Sequence, residues 1–389
     1  MVYFIFAKFL RGSIVQFSPR RRQLLRYLLA APALSLPMRG LFQRSESRVR
    51  VTFAGQALMK YPVCRAPYDG LVDVIAELRR GDVIFTNLEV PIKTSASGVP
   101  TRHTQFFHAG SETTLECLHE MGFNLLSLSN NHAWDLGTAG IVATRDAVDL
   151  SGFAYAGTGN NITQASAAGY LETPVKTALI AMAMGKIRDG AAATGTRPGV
   201  NEVVLGADLQ PNPEDLNRNL AAIRAARVNA EIVIVYLHNH EWGEDMAITK
   251  PWAREFARQC IDAGADIFVS HGAPLLHGIE LQHNKPILHG LGSLVFHSHT
   301  DIGYYVPEVW ETAIVHVDLL AGQVRHLEIV PVVINEVGDD PVLQWPTRGR
   351  PRLAKDEQAH GILTRMQKKS AELGVNFRIE NGRGLLDLG

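Results

Sequence analysis

The stretch LLSLSNNHAWDLGTAGI, residues 125–141, is the part of the sequence from which the fold is best predicted. The leucines with which it begins form an apolar run typical of a buried strand, and a helical pattern begins at Thr138. The intervening Asn130, Asn131 and His132 therefore follow the carboxyl end of a strand, where open α/β sheets bind their ligands. An amide beside an imidazole suits metal or phosphate chemistry. A capped turn with an exposed histidine explains the same residues equally well.

Strand and helix patterns alternate along the rest of the chain from residue 48. The predicted strands cover 49–55, 82–90, 124–130, 177–185, 231–239, 265–272 and 286–296, and the predicted helices cover 68–80, 111–122, 138–152, 213–229 and 250–264. A hairpin over 311–335, turning at Ala321-Gly322, and a last helix over about 356–373 follow. This order is typical of an α/β fold with antiparallel strands added at the end, and one domain over 48–389 is the simplest interpretation.

The composition excludes some partners. The formal net charge is -1, so neither nucleic acid nor an anionic membrane surface is a predicted partner. The three cysteines, Cys64, Cys117 and Cys260, are far apart and odd in number. We therefore expect neither a disulfide framework nor a thiolate metal site, and interpret each cysteine as a small packing residue.

The first 47 residues differ in character from the rest. Arg21 and Arg22 precede Gln23, two leucines and Arg26, and a short apolar stretch over 27–36 follows. This pattern resembles a twin-arginine export signal. The apolar stretch is too short to span a bilayer as a helix. Residues 1–47 are thus interpreted as an export signal or N-terminal extension. The mature chain is expected to lack a transmembrane span and to reside in the periplasm or cell envelope, with peripheral association.

Polar side chains collect at the carboxyl ends of five predicted strands. They are Gln56, Asn87, Glu89, Asn131, His132, His238, His240 and His271. One such residue is weak evidence, but five coinciding strand ends predict a shared site. Imidazole nitrogens, a carboxylate and amide oxygens form a ligand set that suits a divalent metal such as Mn, Zn or Fe.

Individual roles within this set follow from spacing. His238 and His240 are two residues apart at the end of one predicted strand. We expect only one of them to bind the metal, and favour His238. His132 is interpreted as the general acid, and Asp135, three residues later, as the group that orients its ring.

Other residues were weighed as substrate contacts. Arg102 and Arg197 lie in predicted loops and suit a substrate carboxylate or phosphate, although solvated loop arginines are an equal alternative. Trp134 and Trp242 follow the two best motifs and are candidates for pocket walls, with core packing as the alternative. The remaining late histidines have irregular spacing without carboxylates and are interpreted as surface or outer residues: His277, His283, His289, His297 and His299.

Three stretches, DVIFTNLEVPI (82–92), SLSNNHAWDLGTAGI (127–141) and GADIFVSHGAPLLHGIELQHNKPILHGLGSLVF (264–296), resemble the CapA family of capsule-synthesis proteins, which is linked to bacterial poly-γ-glutamate. The resemblance implies a calcineurin-like metallophosphoesterase fold, an α/β/β/α sandwich with mixed sheets. It also implies that five residues contribute to a metal-centred site: Glu89, Asn131, His132, His238 and His271.

Two positions depart from the family pattern. The opening strand ends in Gly55-Gln56, where the family has Gly-Asp, and Pro274 stands where a second late histidine is usual. Glutamine is a poor ligand, so a two-metal site would lose a bridging charge. The site then holds one ion, a relocated second ion bound through His240, or none.

Two functions remain open from the sequence. The first is a metal-dependent hydrolase that cleaves a phosphoester or a γ-glutamyl amide of an anionic polymer, with His132 protonating the leaving group. The second is a non-catalytic envelope protein that binds an acidic polymer through a degenerate site. The departures at Gln56 and Pro274 favour the second function, and the retained Asn131, His132, His238 and His271 favour the first.

Overall fold

Strands and helices alternate through the part of the chain described by the computed structural model, which covers residues 48–340, 342 and 344–389. The predicted export signal falls in residues 1–47 and lies outside the described residues. The strands are β1 (Arg48–Phe53), β2 (Gln56–Leu58), β3 (Val83–Asn87), β4 (Leu125–Ser127), β5 (Ala154–Ala156), β6 (Thr158–Gly159), β7 (Gly169–Leu171), β8 (Thr177–Met184), β9 (Gly199–Val200), β10 (Ile232–Asn239), β11 (Ile267–His271), β12 (Ile279–Gln282), β13 (Lys285–Leu288), β14 (Ser293–Phe296), β15 (Glu311–Leu320), β16 (Gln323–Ile334), β17 (Pro351–Leu353), β18 (Arg378–Glu380) and β19 (Arg383–Asp387). The helices are α1 (Leu71–Leu78), α2 (Glu112–Met121), α3 (Gly137–Leu150), α4 (Ile162–Ala165), α5 (Pro213–Asn229), α6 (Pro251–Asp262), α7 (Gln344–Thr347) and α8 (Asp356–Ala371).

Two mixed sheets carry the fold of the described residues. The first has nine strands in the order β18-β19-β16-β15-β1-β3-β4-β5, with β17 paired to β16. Within it β1, β3, β4 and β5 are parallel, and the predicted hairpin β15–β16 adds to β1 in antiparallel fashion. The second has six strands in the order β12-β13-β11-β10-β8-β7, of which β8, β10, β11 and β13 are parallel.

The two sheets pack face to face, and helices cover their outer faces. Phe53 and Phe85 of the first sheet share one apolar core with Tyr236 and Val269 of the second, and the Phe85 and Tyr236 ring centroids are 5.4 Å apart. A second core packs α1 and α2 on the outer face of the first sheet. A third packs α5 and α6, including Phe256, on the outer face of the other. The predicted α/β/β/α sandwich with mixed sheets is therefore confirmed.

One predicted strand, 286–296, is divided in two. The chain turns between β13 and β14, where Gly292 has a φ of 68° that a side chain would disfavour. Strand β14 thereby leaves the six-stranded sheet and pairs in parallel with β2, setting Ser293 opposite Gln56. This approach is close, because a Cβ on Gly55 would lie 2.7 Å from the backbone nitrogen of Leu294. The Gly55-Gln56 pair therefore builds a tight junction.

The expectation for the cysteines was wrong for two of the three. Cys64 and Cys117 form a disulfide, with their Cα atoms 5.5 Å apart. The two cysteines are 53 positions apart in the sequence; the chain between them includes β3, and α2 then returns it alongside the 3₁₀ turn Val63–Arg65. Distance along the sequence was therefore a poor guide to distance in space. Cys260 is free and buried among the helix α6 packing residues, as predicted.

None of the helices in the described ranges is both long enough and apolar enough to cross a bilayer.

Candidate functional site

The carboxyl ends of the parallel strands from both sheets meet at one edge of the sandwich. His238 at the end of β10 is the register partner of His271 at the end of β11. Asn131, which follows β4 of the other sheet, accepts a hydrogen bond at Oδ1 from Nε2 of His238 over 2.9 Å. This hydrogen bond between an amide and an imidazole connects the two sheets. Both residues were among the strand-end residues that predicted a shared site.

Two buried side chains and one half-buried side chain form a cluster that fits a metal ion. The ligand atoms of Glu89, His238 and His240 all lie within 4.8 Å of one another, and Glu89 Oε1 is 3.6 Å from His238 Nε2. Among the described residues, Glu89 Oε2 and both ring nitrogens of His240 have no hydrogen-bond partner. Burying such groups unpaired is costly, and a divalent cation would satisfy them together. The residues present therefore fit one ion.

Burial sets the protonation of this cluster. It raises the pKa of Glu89 well above the usual range for a carboxyl, with the charge of Asp135 adding to the effect. Burial also lowers the pKa of His238 and of His240 well below the usual range, so both imidazoles are neutral near pH 7. Neutral imidazole is the form that binds metals.

Both histidines of the His238–His240 pair reach the cluster, whereas the sequence favoured only His238. Residues two apart in a strand point to the same face, and His240 directly follows Asn239, the last residue of β10. Its backbone N–H donates to the carbonyl of Met184 over 2.7 Å, and the two imidazole ring centroids are 4.9 Å apart. The two-residue period of the strand thus places both imidazoles on one side.

His132 and Asp135 form a hydrogen-bonded pair beside the cluster. His132 Nδ1 lies 3.0 Å from Asp135 Oδ2, which assigns the proton to Nδ1 and leaves Nε2 as the free nitrogen. The fully buried Asp135 also accepts the backbone N–H of His108 and makes ion pairs with Arg102 (2.9 Å) and Arg188 (2.8 Å). Burial lowers the pKa of His132 against the raising effect of Asp135, so the imidazole is neutral near pH 7.

A cavity of about 520 Å³ opens onto these groups. Its lining includes the polar side chains of Glu89, Asn131, His132 and His240. The further lining residues are Gln56, Leu58, Arg102, Phe106, His108, Lys186, Trp242, Met246, Gly272, Pro274, Phe296, Ser298, Tyr304 and Tyr305. A substrate in this cavity would contact Glu89 and His240 of the metal cluster together with His132.

Four predicted site residues lie away from the cluster or are occupied otherwise. Arg197 is exposed and donates to the carbonyl of Ala192 within its own loop. Trp134 does not line the cavity; the Arg188 guanidinium lies 5.1 Å from its ring centroid.

His271 is buried with its ring 5.4 Å from that of Tyr236, outside the three-residue cluster. Gln56 accepts from Gly272 N–H (3.1 Å) and donates to Ser293 Oγ (3.3 Å), so both ends of its amide are engaged. These hydrogen bonds make Gln56 a structural residue in this state rather than an open ligand.

Several late histidines are buried rather than at the surface. His289 lies 2.9 Å from Glu280, a carboxylate that the spacing along the chain did not reveal because it comes from the neighbouring strand β12. His277 contacts Thr249 and the carbonyl of Met246. The Nδ1 atom of His297 accepts the backbone N–H groups of residues 60 and 61. These histidines hold loops in place.

The sequence analysis overlooked Lys186, His108, Tyr304 and Tyr305 as cavity residues. Lys186 follows β8 at the same edge as the other strand ends, and that position was the available signal. It was missed because lysine is not a metal ligand. The tyrosine pair lies in a loop after β14, and no pattern in the sequence links it to the site.

Comparisons with known proteins agree with these motifs. The family described as "Bacterial capsule synthesis protein PGA_cap" matches residues 50–298. Protein y4sH of Sinorhizobium fredii (strain NBRC 101917 / NGR234) is 28% identical, over 86% of this chain and 92% of its own. The "Capsule biosynthesis protein CapA" of Bacillus anthracis is 27% identical, over 77% of this chain and 70% of its own.

A solved structure with a related arrangement is the NAD nucleotidase NadN of Haemophilus influenzae. It shares 9% sequence identity and a TM-score of 0.43, and the match covers 83% of this chain and 62% of that one. The family match spans well over half of the chain and includes every motif that carries the cluster. The chain therefore belongs to the bacterial capsule synthesis protein family PGA_cap, as its likeness to the CapA proteins indicated.

Proposed function

We propose that this protein is an exported cell-envelope hydrolase of capsule-polymer metabolism, which uses one divalent ion to cleave a phosphoester or a γ-glutamyl amide. The proposal rests on one observation, which is that the candidate metal ligands and the candidate proton-transfer histidine lie at the same cavity. Glu89 and His240 of the three-residue cluster, and His132 of the His132–Asp135 pair, line the same cavity.

The residues divide into two groups by task. Glu89, His238 and His240 would hold the ion, with the Tyr236 hydroxyl, 3.1 Å from His238 Nδ1, orienting that ring so that Nε2 faces Glu89. A divalent ion bound there supplies Lewis-acid polarisation of a substrate oxygen. His132 holds a proton at Nδ1 through Asp135 and exchanges a second proton at Nε2 with the attacking or leaving group.

A single ion is the stoichiometry that the side chains favour. Gln56 stands where the CapA resemblance implies an aspartate, and its amide is committed to Gly272 and Ser293. A neutral side chain in that state supplies no bridging charge for a second ion.

Export is proposed on two independent grounds. The sequence of residues 1–47 resembles a twin-arginine signal, and the chain contains a Cys64–Cys117 disulfide. Disulfides persist in oxidising compartments such as the periplasm and the cell surface. An envelope location also suits a member of a capsule-synthesis family.

The test is metal analysis followed by turnover. Purified protein is incubated with Mn²⁺, Fe²⁺ or Zn²⁺, desalted, and analysed for bound metal, with about one equivalent expected. Glu89→Gln and His240→Ala should lose the ion, whereas His360→Ala, an exposed histidine on α8, should retain it. Hydrolysis of an aryl phosphate and of a γ-glutamyl anilide then identifies the bond that is cleaved.

A second candidate function is supported by the same Gln56 geometry. A site that lacks the second carboxylate could bind an acidic polymer without cleaving it, through the cavity cations Arg102 and Lys186. Bound metal and polymer with no turnover of either substrate would favour this function over hydrolysis. The absence of any bound metal in the wild-type protein would rule out the hydrolase proposal.

A further inference from the structure

Lys186 differs from the two arginine side chains near the cavity, because it has no carboxylate partner among the described residues. Arg102 lines the cavity but is ion-paired with Asp135, and so is Arg188. Among the described residues, no carboxylate oxygen lies within the 4.0 Å ion-pair distance of the Lys186 ammonium. The positive charge that Lys186 brings to the cavity is therefore available to a ligand.

The backbone holds Lys186 in an unusual conformation. Its φ is 53°, in the left-handed region that residues other than glycine, asparagine and aspartate rarely adopt. The preceding Gly185 has a φ of 77°, and a Cβ there would lie 2.8 Å from the carbonyl carbon of His240. The turn is thus pressed against the segment that supplies a metal-cluster residue. Such strain persists where the surrounding structure fixes it, and it is common at binding sites.

An aromatic ring fixes the direction of the side chain. The Lys186 Nζ atom lies 4.7 Å from the ring centroid of Trp242, and that ring is 4.5 Å from the ring of His240. A cation over an indole face is attracted to it, so the ammonium of the exposed Lys186 is held next to the Trp242 ring that packs on His240. Lys186, Trp242 and His240 all line the same cavity.

We propose that Lys186 is a specificity-determining residue, which binds an oxyanion of the substrate at a fixed separation from the bond that reacts at the metal cluster. The substrate class is then a molecule with a carboxylate or a phosphate in addition to its scissile group. The role in specificity rests on the proposed function, but the binding of the anion is measurable without catalysis.

The experiment measures anion binding to the full chain by calorimetric titration with two probes, inorganic phosphate and glutarate. Lys186→Gln keeps a polar side chain that is one atom shorter and removes the charge, and should weaken binding about five-fold, the effect of losing one partly exposed ion pair. Lys186→Arg should bind within about two-fold of the wild type, because it restores the charge. The matched control is Lys176→Gln, since Lys176 also lies over an aromatic ring, 5.1 Å from the Tyr170 centroid, but outside the cavity.

The two probes separate the two sources of the oxyanion. A loss confined to phosphate identifies a phosphate-bearing substrate, and a loss confined to glutarate identifies a polycarboxylate. Equal affinity of Lys186→Gln and the wild type for both probes overturns the inference, as does the lack of binding of either probe to the wild type at about 10 mM. Weakened binding in Lys186→Gln together with no turnover by the wild type supports the anion site while rejecting the hydrolase proposal.

Discussion

At the scale of single residues, burial decides which side chains can act. Glu89 is 2% exposed and His238 is fully buried, so neither can satisfy its polar atoms with bulk water. The cluster is therefore arranged for a cation, in contrast to the equally buried Glu280, which is neutralised by Arg254, Arg258 and His289. A buried carboxylate that the protein itself neutralises stabilises the fold, and one left without a partner indicates a binding site.

The role of His132 is testable by its removal. His132→Ala should lower kcat at least about 100-fold, because a general acid–base contribution of 10²–10⁴ is lost. Metal content should be unchanged, since His132 is outside the three-residue cluster. Steady-state kinetics and elemental analysis on the same preparation check both statements, with His360→Ala as the histidine control. Unchanged kcat would refute the proton-transfer role.

Gln56 is expected to stabilise the structure rather than bind metal. Gln56→Ala removes its bonds to Gly272 N–H and Ser293 and leaves the buried N–H unpaired, which should lower the free energy of unfolding by about 1–3 kcal/mol. Urea unfolding gives this value, and elemental analysis should find the same metal content as in the wild type. Gln56→Glu, which keeps an acceptor for Gly272, serves as the conservative variant. Loss of metal in a stably folded Gln56→Ala protein would contradict this assignment.

At the scale of elements, short junctions position the site more than long helices do. β2 and β14 are short strands that pair with each other and set Gln56 opposite Ser293. The turn after β8 carries Lys186, and the end of β10 carries His240. Lys186 and His240 thus follow their strands within two residues, in loop segments that the rigid sheet positions.

The disulfide between the Val63–Arg65 turn and α2 should contribute to stability. Replacing Cys64 and Cys117 together by alanine should lower the free energy of unfolding by about 2–4 kcal/mol, because the unfolded chain gains the freedom of a long loop. Denaturant unfolding with and without reductant measures this. Reductant should destabilise the wild type and leave the double alanine variant unchanged, because Cys260 has no partner to lose. Equal stability of the two proteins without reductant would show that the bond contributes nothing.

At the scale of the whole molecule, the site exists only because two sheets meet. Glu89 and Asn131 come from the first sheet, and His238 and His240 come from the second. The inter-sheet core under them, including Phe85 and Tyr236, fixes their separation. Disturbing that core should therefore affect metal binding at a distance, since interiors are close-packed and transmit shifts.

The buried histidines should make the fold sensitive to acid. Burial lowers the pKa of His277 and of His297 to about 3 in the folded protein, against about 6.5 when unfolded. Above pH 6.5 both states are neutral there. As the pH falls below 6.5 the unfolded state takes up protons that the folded state refuses, so stability is lost progressively down to about pH 3.

This loss should reach at most about 1.4 kcal/mol per pH unit for each such histidine. Urea unfolding between pH 7.5 and pH 5 measures the slope, with a chelator present so that release of metal does not contribute. His277→Gln should reduce the slope. A slope of zero, or one that His277→Gln leaves unchanged, would mean that these imidazoles are not kept neutral by the fold.

The sequence by itself determined the α/β class, the order of elements and the strand ends that carry the site. Apolar periodicity reports local structure directly, and parallel strands must end at the same edge, so Glu89, Asn131, His132 and His238 were identified together. The hairpin at Ala321-Gly322 and the last helix were likewise confirmed, because turn and helix signals are local.

Only the tertiary structure decided which of these residues meet and which do not. It paired Cys64 with Cys117, gave Gln56 two hydrogen-bond partners, placed Arg197 away from the cavity and brought in Lys186. Each of these outcomes depends on contacts between residues far apart in the chain. The physical reason is that a sequence pattern fixes the face and the end of an element, whereas the distance between two side chains is fixed by how whole sheets pack.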